Sequence, residues 1–219
     1  MQRISDFGRD LRAGVVEGAR AVFRKGLVET GEGNVSMRVP GRDELLITPT
    51  FNRYDAMNED DVVHLSFDGK ELTRGKPAST EYRLHVAIYK ARPRAQCVIH
   101  THSPYATMLS VVRKKIPVLM EEMIAFLGGE VEVAEFTPAH TEELGDKAVM
   151  ALRTSNAVLL ANHGTVVCAR NMECAVKSAE LVEKMAMLYW GASLIGEPTA
   201  IAERDLSRFR AYFESDYST

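Results

Sequence analysis

Two hydrophobic periods alternate along the chain, and the switches between them outline its elements. Leu11, Val15, Ala19 and Val22 recur at helical spacing with Arg and Glu on the other side, which predicts a helix over residues 6–28. Gly31-Glu32-Gly33-Asn34 ends that pattern, because two glycines and an Asn favour a turn. Residues 35–39 and 44–48 read as strands joined by Pro40-Gly41-Arg42-Asp43. Residues 62–67 and 71–73 read as a second hairpin turning at Asp68-Gly69. After Pro77 and Ser79-Thr80-Glu81 a helical pattern runs to about residue 91, and residues 95–102 read as a strand. Ser103-Pro104 opens a further helix, with the proline where a first-turn proline is tolerated. A strand is predicted over 131–136 and a helix over 141–153. Residues 156–162 are a near-continuous apolar run, the mark of a strand covered on both faces. His163-Gly164 turns the chain into a strand over 165–169. A long helix over 171–190 then buries Ala175, Ala179, Val182, Ala186 and Tyr189, and a short helix covers about 202–212. Strands linked partly by hairpins and mixed with helices imply helices packed on a mostly antiparallel sheet.

Composition narrows the class. A chain of 219 residues can bury a core without staples, and one domain over residues 1–219 is the simplest count. A hydrophobic fraction of 46% rules out disorder as the main state. With 27 basic against 30 acidic residues the chain lacks the basic excess of a nucleic-acid partner. No apolar run approaches the roughly 20 residues needed to cross a bilayer, so no membrane partner is expected. Residues 1–12 carry charges where a secretion signal has its apolar stretch. Cys97, Cys168 and Cys174 are odd in number and form no C-x-x-C pair, as reduced thiols of a cytoplasmic protein do. The expectation is a soluble, cytoplasmic enzyme or small-molecule binder.

The polar residues that interrupt this pattern carry the candidate chemistry. In His100-Thr101-His102 the strand period puts both imidazoles on one face, about 7 Å apart at the backbone. That suits two ligands of one metal ion, although such a pair can merely end a core strand. His163 closes the second strongly apolar strand. Two central strands that run out into histidine can bring three imidazoles to one sheet end. Three nitrogen ligands with an open fourth position are the pattern of a catalytic transition-metal site; singly, His163 is a turn residue.

Glu81 projects with Leu84, Ala87, Ile88 and Ala91 when the helix is drawn from Thr80. A carboxylate there gains from the helix dipole, but an inward one needs a metal or a substrate proton as partner. The inward placement is expected to raise its pKa. Ser79 and Thr80 are N-cap residues by default, or an anion site with free N–H groups, to which Gly31-x-Gly33-Asn34 adds donors. His64, His85 and His140 read as structural or surface residues, with His85 one turn beyond Glu81. Met185, Met187, Tyr189 and Trp190 read as core or subunit contact.

Taken together these residues resemble the class II aldolase/adducin family, and within it the fuculose-phosphate aldolase type. The likeness runs through Gly33-Asn34-Val35-Ser36, Leu46-Ile47-Thr48-Pro49-Thr50, Gly75-Lys76-Pro77-Ala78-Ser79-Thr80-Glu81 and His100-Thr101-His102-Ser103. It continues through Ile116-Pro117, Gly128-Gly129 and Asn162-His163-Gly164, so it spans about the whole chain in order and spacing. The resemblance implies an α/β fold, a three-layer α/β/α sandwich around a mixed, mostly antiparallel sheet. It implies His100, His102 and His163 as zinc ligands, with Mn2+, Co2+ or Fe2+ as alternatives. It implies Glu81 as the acid/base that also closes the resting metal site, and Asn34, Thr50, Ser79 and Thr80 as phosphate-binding residues. It further implies a homotetramer with sites between subunits, and Tyr212 as the tail tyrosine that reaches into the adjacent site.

Three departures stand out. Phe51 replaces the glycine after Thr-Pro-Thr. Glu122 aligns with the tyrosine that gives a proton to the aldehyde. Ala139 or His140 replaces the aromatic after Pro138. Metal and base are intact, while the aldehyde and phosphate sides are altered, and Tyr212, Glu122 and His140 are the candidates for the second proton. The implied function is metal-dependent cleavage of a ketose 1-phosphate to dihydroxyacetone phosphate and an aldehyde, through an enediolate that zinc stabilises. A decarboxylase acting on a 3-oxo acid or its phosphate ranks second. The family's sugar-phosphate 4-epimerases carry aspartate where this chain has Glu81, and a structural adducin-like module would not keep the histidines.

Overall fold

The two periods sort onto one sheet and two layers of helix. The computed structural model describes residues 2–50 and 53–219. Its helices are α1 (Gln2–Arg24), α2 (Tyr82–Ala91), α3 (Pro104–Val111), α4 (Glu142–Leu152), α5 (Met172–Ile195) and α6 (Ser207–Asp216). Its strands are β1 (Asn34–Arg38), β2 (Glu44–Ile47), β3 (Val63–Ser66), β4 (Cys97–Thr101), β5 (Glu132–Ala134), β6 (Ala157–Leu160) and β7 (Gly164–Ala169). Among the described residues they form one seven-stranded sheet in the order β3-β2-β1-β4-β7-β6-β5. Only β5 and β6 run parallel; the other neighbours are antiparallel. No helix among the described residues is long and apolar enough to cross a membrane.

Strand alternation divides the core in two. Val35, Leu46, Cys97, Ile99, Ala157, Leu159 and Val167 join α1, α3 and α5 in one cluster. Leu45, Ile47, Val63, Val98, Val158, Leu160 and Val166 join α2 and α4 in the other. Each fully buried aliphatic side chain contributes about 1.5–3 kcal/mol by leaving water, so both faces of the central strands are held. The expected α/β/α sandwich with a mixed, mostly antiparallel sheet is therefore present. The stripe Leu11, Val15, Ala19 and Val22 is buried as its spacing requires.

The differences have local causes. Residues 71–73 form no strand; Leu65 and Glu71 share a single bridge, and Leu72 stays exposed with no layer to cover it. A π-helical turn at Met123–Leu127 was not foreseen, because periodicity does not separate it from an apolar loop. The last long helix, α5, runs on to Ile195 and ends in exposed Leu194 and Ile195.

Two glycines let strands close together at one sheet end. Gly33 has a φ of 61°, and a Cβ there would overlap the His100 carbonyl oxygen and Val28. A Cβ on Gly164 would overlap the Thr101 carbonyl oxygen and press on the His102 ring. Gly33→Ala is expected to destabilise the protein by about 1–3 kcal/mol, since it combines positive φ with a backbone clash. Urea unfolding of the variant checks this, and an unchanged midpoint would contradict the close approach.

Candidate metal centre

Strand register sets the centre. On β4, Val98 faces the α2/α4 layer, so His100 does too, and His102 continues the same face just past the strand. Asn34 of β1 and Val166 of β7 lie directly opposite His100 on either side. His163 sits in the turn between β6 and β7, where Asn162 adopts a φ of 54° that asparagine tolerates. Glu81 is the N-cap residue of α2, buried at the edge of the same layer. Ser79 and Thr80 are not the cap. Ser79 instead accepts from the Glu81 N–H at 3.4 Å, and its carbonyl accepts from the Tyr82 N–H.

These elements bring four side chains to one point. His100 Nε2 lies 3.0 Å from His102 Nε2 and 3.3 Å from Glu81 Oε2. His163 Nε2 lies 3.1 Å from Glu81 Oε1, which receives no well-aligned hydrogen bond although it is buried. One donor atom from each of the four residues falls within 4.8 Å of all the others. The three rings stand 4.7–5.0 Å apart at 65–70° to one another, like blades about a common axis. Ligands on metal bonds of ~2.0–2.1 Å stand about 3.3 Å apart along the edges of a tetrahedron. The three closest separations, 3.0, 3.1 and 3.3 Å, match that spacing, and the donor set of imidazoles plus carboxylate suits a divalent transition metal. His100 Nδ1 is 2.9 Å from the Thr165 carbonyl, which orients the ring and leaves Nε2 for the centre.

The charges are coupled. Burial pushes the Glu81 carboxyl up, as its inward position suggested. His100 overrules burial through its charge and hydrogen bond, helped by His163, and the carboxyl ends well below the usual carboxylate range. The expected rise in its pKa is therefore corrected: Glu81 rests as a carboxylate. Burial pushes His100 down, but the Glu81 carboxylate returns it above the ordinary imidazole value. Burial, reinforced by the charges of His100 and His163, pushes His102 down to about 3.

A cavity of about 370 Å³ opens beside the centre. Asn34, Thr50, Ser79 and Thr80 all line it, together with Glu81, His102 and His163. The Gly31–Gly33 turn also lines it and is pinned by Tyr54, whose hydroxyl is 2.9 Å and 2.6 Å from the Glu32 and Gly33 carbonyls. Ala139 and His140 also line it, so His140 belongs to the cavity and not to a remote surface. Sequence reasoning missed Tyr54 and underrated His85. His85 is fully buried, with Nε2 2.5 Å from Asn34 Oδ1, while Asn34 Nδ2 donates to Glu81 Oε2 at 2.9 Å. The pairing Asn34–His100 across β1 and β4 is the signal that leads to it.

Two candidates lie elsewhere. Glu122 precedes the π-helical turn, its carboxylate 4.0 Å from Lys184 Nζ, and does not line the cavity. Tyr212 on α6 packs against Phe126 and Tyr217. The Tyr217 carbonyl accepts from Asn156 at the start of β6, the opposite end of that strand from His163. Within one chain neither residue reaches the histidines. Phe51 lies outside the described residues.

Fold and centre together define an α/β/α protein whose sheet end carries a cluster of three histidines and one carboxylate that could hold a metal ion, open to a cavity. The chain belongs to the Class II Aldolase and Adducin N-terminal domain family, whose model matches residues 13–190. It is 32% identical over 203 residues to the L-fuculose phosphate aldolase of Escherichia coli (strain K12), covering 90% of this chain and 93% of that protein. It is 34% identical over 207 residues to the 5-methylthioribulose-1-phosphate/5-deoxyribulose-1-phosphate aldolase of Rhodospirillum rubrum, covering 92% of each. Among solved structures, an L-fuculose 1-phosphate aldolase superposes with a TM-score of 0.89 at 29% identity, covering 94% of this chain and 96% of that one.

Proposed function

We propose that the protein is a metal-dependent aldolase that cleaves a ketose 1-phosphate to dihydroxyacetone phosphate and an aldehyde. The carrying observation is that Glu81, His102 and His163 line one cavity with Asn34, Thr50, Ser79 and Thr80, while the buried His100 completes the cluster behind them. His100, His102 and His163 would hold the ion, zinc first and Mn2+, Co2+ or Fe2+ as ions that imidazole also accepts. A bound divalent ion supplies Lewis-acid stabilisation of the negative charge that develops beside the carbonyl.

The chain's own residues do the rest. No Lys or Arg among the described residues lines the cavity. A phosphate would therefore be held by hydroxyls, by the Asn34 amide and by N–H groups near the start of α2, where the helix dipole favours an anion. In the condensation direction Glu81 takes a proton from the hydroxymethyl carbon of dihydroxyacetone phosphate, and in cleavage the proton returns to that carbon. A second group moves the proton of the aldehyde oxygen. His140 is the candidate that lines this cavity within the chain, and Tyr212 would have to come from a neighbouring subunit. Tyr212 is exposed at 45%, and Trp190, Leu194 and Ile195 leave an apolar end on α5, which supports a homotetramer with sites between subunits. The whole chain acts as one domain, in the cytoplasm.

The substrate class is tested by a panel. Purified enzyme with added zinc is expected to release dihydroxyacetone phosphate from at least one of L-fuculose, 5-deoxyribulose and 5-methylthioribulose 1-phosphates. Release of carbon dioxide from 3-oxo acid phosphates, with no triose phosphate from any ketose, would replace the aldolase reading by the decarboxylase one.

A further inference from the structure

From the cavity wall, where Glu81 and Asn34 stand, five side chains join in an unbroken hydrogen-bonded line that runs inward. Glu81 accepts from Asn34 at 2.9 Å, and Asn34 Oδ1 is 2.5 Å from His85 Nε2. His85 Nδ1 is 2.7 Å from Ser36 Oγ, which is 2.8 Å from the Tyr89 hydroxyl. Ser36 and His85 are fully buried, and Asn34 and Tyr89 nearly so. The line exists because two periods match. Asn34 and Ser36 are two residues apart on β1, a rise of about 6.8 Å. His85 and Tyr89 are four apart on α2, a rise of about 6 Å. Strand and helix thus present two rungs to each other at nearly the same spacing.

One set of proton positions satisfies every member. A carboxylate only accepts, so Asn34 turns its NH2 to Glu81 and its carbonyl oxygen to His85. That oxygen also only accepts, so His85 carries its proton on Nε2 and leaves Nδ1 bare. Ser36 gives its O–H to Nδ1, and its oxygen accepts from Tyr89. The outer end is held by Phe67, stacked on the Tyr89 ring at 6.0 Å, and by the Arg38 guanidinium 5.0 Å from that ring.

We propose that His85 is a positioning residue which, backed by Ser36 and Tyr89, holds the Asn34 amide in one orientation, so that Asn34 presents only N–H donors to Glu81 and the cavity. One N–H serves Glu81, and the other is left for an anionic oxygen. A flipped amide would set its carbonyl oxygen against the Glu81 carboxylate and against any phosphate. The consequence for phosphate rests on the aldolase reading; the proton arrangement does not.

The first test is the tautomer. In protein labelled with 15N-histidine, the His85 signal, assigned by its loss in His85→Gln, should show a protonated Nε2 and a bare Nδ1 at about pH 7. A proton on Nδ1 overturns the proposal outright. The second test is inorganic phosphate binding by the zinc-loaded protein. His85→Leu should weaken it about tenfold, the effect of one lost hydrogen bond to a charged group. His85→Gln, which can still donate to Asn34, should recover most of that, and zinc content should stay unchanged in both. Equal loss in the two variants with equally lowered melting temperature would reduce His85 to packing. If wild-type protein ignores phosphate, the phosphate site fails, and the tautomer alone decides the positioning role.

Discussion

Replacing His100 and His102 together with alanine is expected to empty the metal site and lower kcat/KM by about 1,000- to 10,000-fold. The magnitude follows from losing several kcal/mol of charge stabilisation at ~1.4 kcal/mol per factor of ten. Wild-type protein should contain about one divalent ion per chain, and elemental analysis of the variant should find almost none. Two further signatures separate metal loss from misfolding. A chelator should lower the melting temperature of the wild type, because an ion that binds only the folded chain stabilises it by mass action. The double variant should not respond to chelator or to added zinc. His100 stands on β4 and His102 just past its end, and the cross-strand neighbours of His100, Asn34 and Val166, are unchanged, so the strand itself has no reason to unfold. Full activity in the double variant would end the metal reading, and with it the role given to His163.

How the sequence foretold this centre, and where it did not, follows from the range of each physical signal. The period of two is strictly local, so the spacing His100-x-His102 already puts both rings on one face. The burial of β6 on both sides was visible as an apolar run, and its end placed His163 at the sheet edge. Helix projection found Glu81 but misjudged what lies behind it. Drawn from Thr80, the inward face held Ala87 and Ala91. The helix in fact starts at Tyr82, and its buried residues include His85 and Tyr89 beside Leu84 and Ile88. Packing against both the sheet and α4 widened the inward face, and no pattern within the helix announces that. Ser36 and Asn34 are ordinary small polar residues until the β1–β4 pairing places them beside α2. The roles offered for Glu122 and Tyr212 came from resemblance alone. Their own neighbours, Lys184 and the Phe126–Tyr217 aromatics, hold them away from the cavity of the same chain.

Glu81→Gln is expected to leave the metal bound and the fold intact while lowering kcat about 100- to 10,000-fold, the usual worth of a positioned general acid/base. The glutamine keeps the shape of the side chain and can still accept from Asn34 at its carbonyl oxygen. What it loses is the ability to take a proton. In the wild type the carboxyl rests ionised, because the neighbouring imidazoles hold it below its usual range, and so has a free oxygen lone pair to take the proton. The loss should therefore fall on kcat, with KM for the phosphorylated substrate changed far less, because Thr50, Ser79 and Thr80 are untouched. Solvent exchange isolates the step further. Wild-type enzyme given dihydroxyacetone phosphate alone in deuterated water should exchange one hydroxymethyl hydrogen, and the variant should not. Retained exchange in Glu81→Gln would move the base elsewhere in the cavity. His140 would then be the first group to replace, since it is the remaining titratable side chain besides Glu32 and Tyr54 that lines the cavity without belonging to the metal cluster.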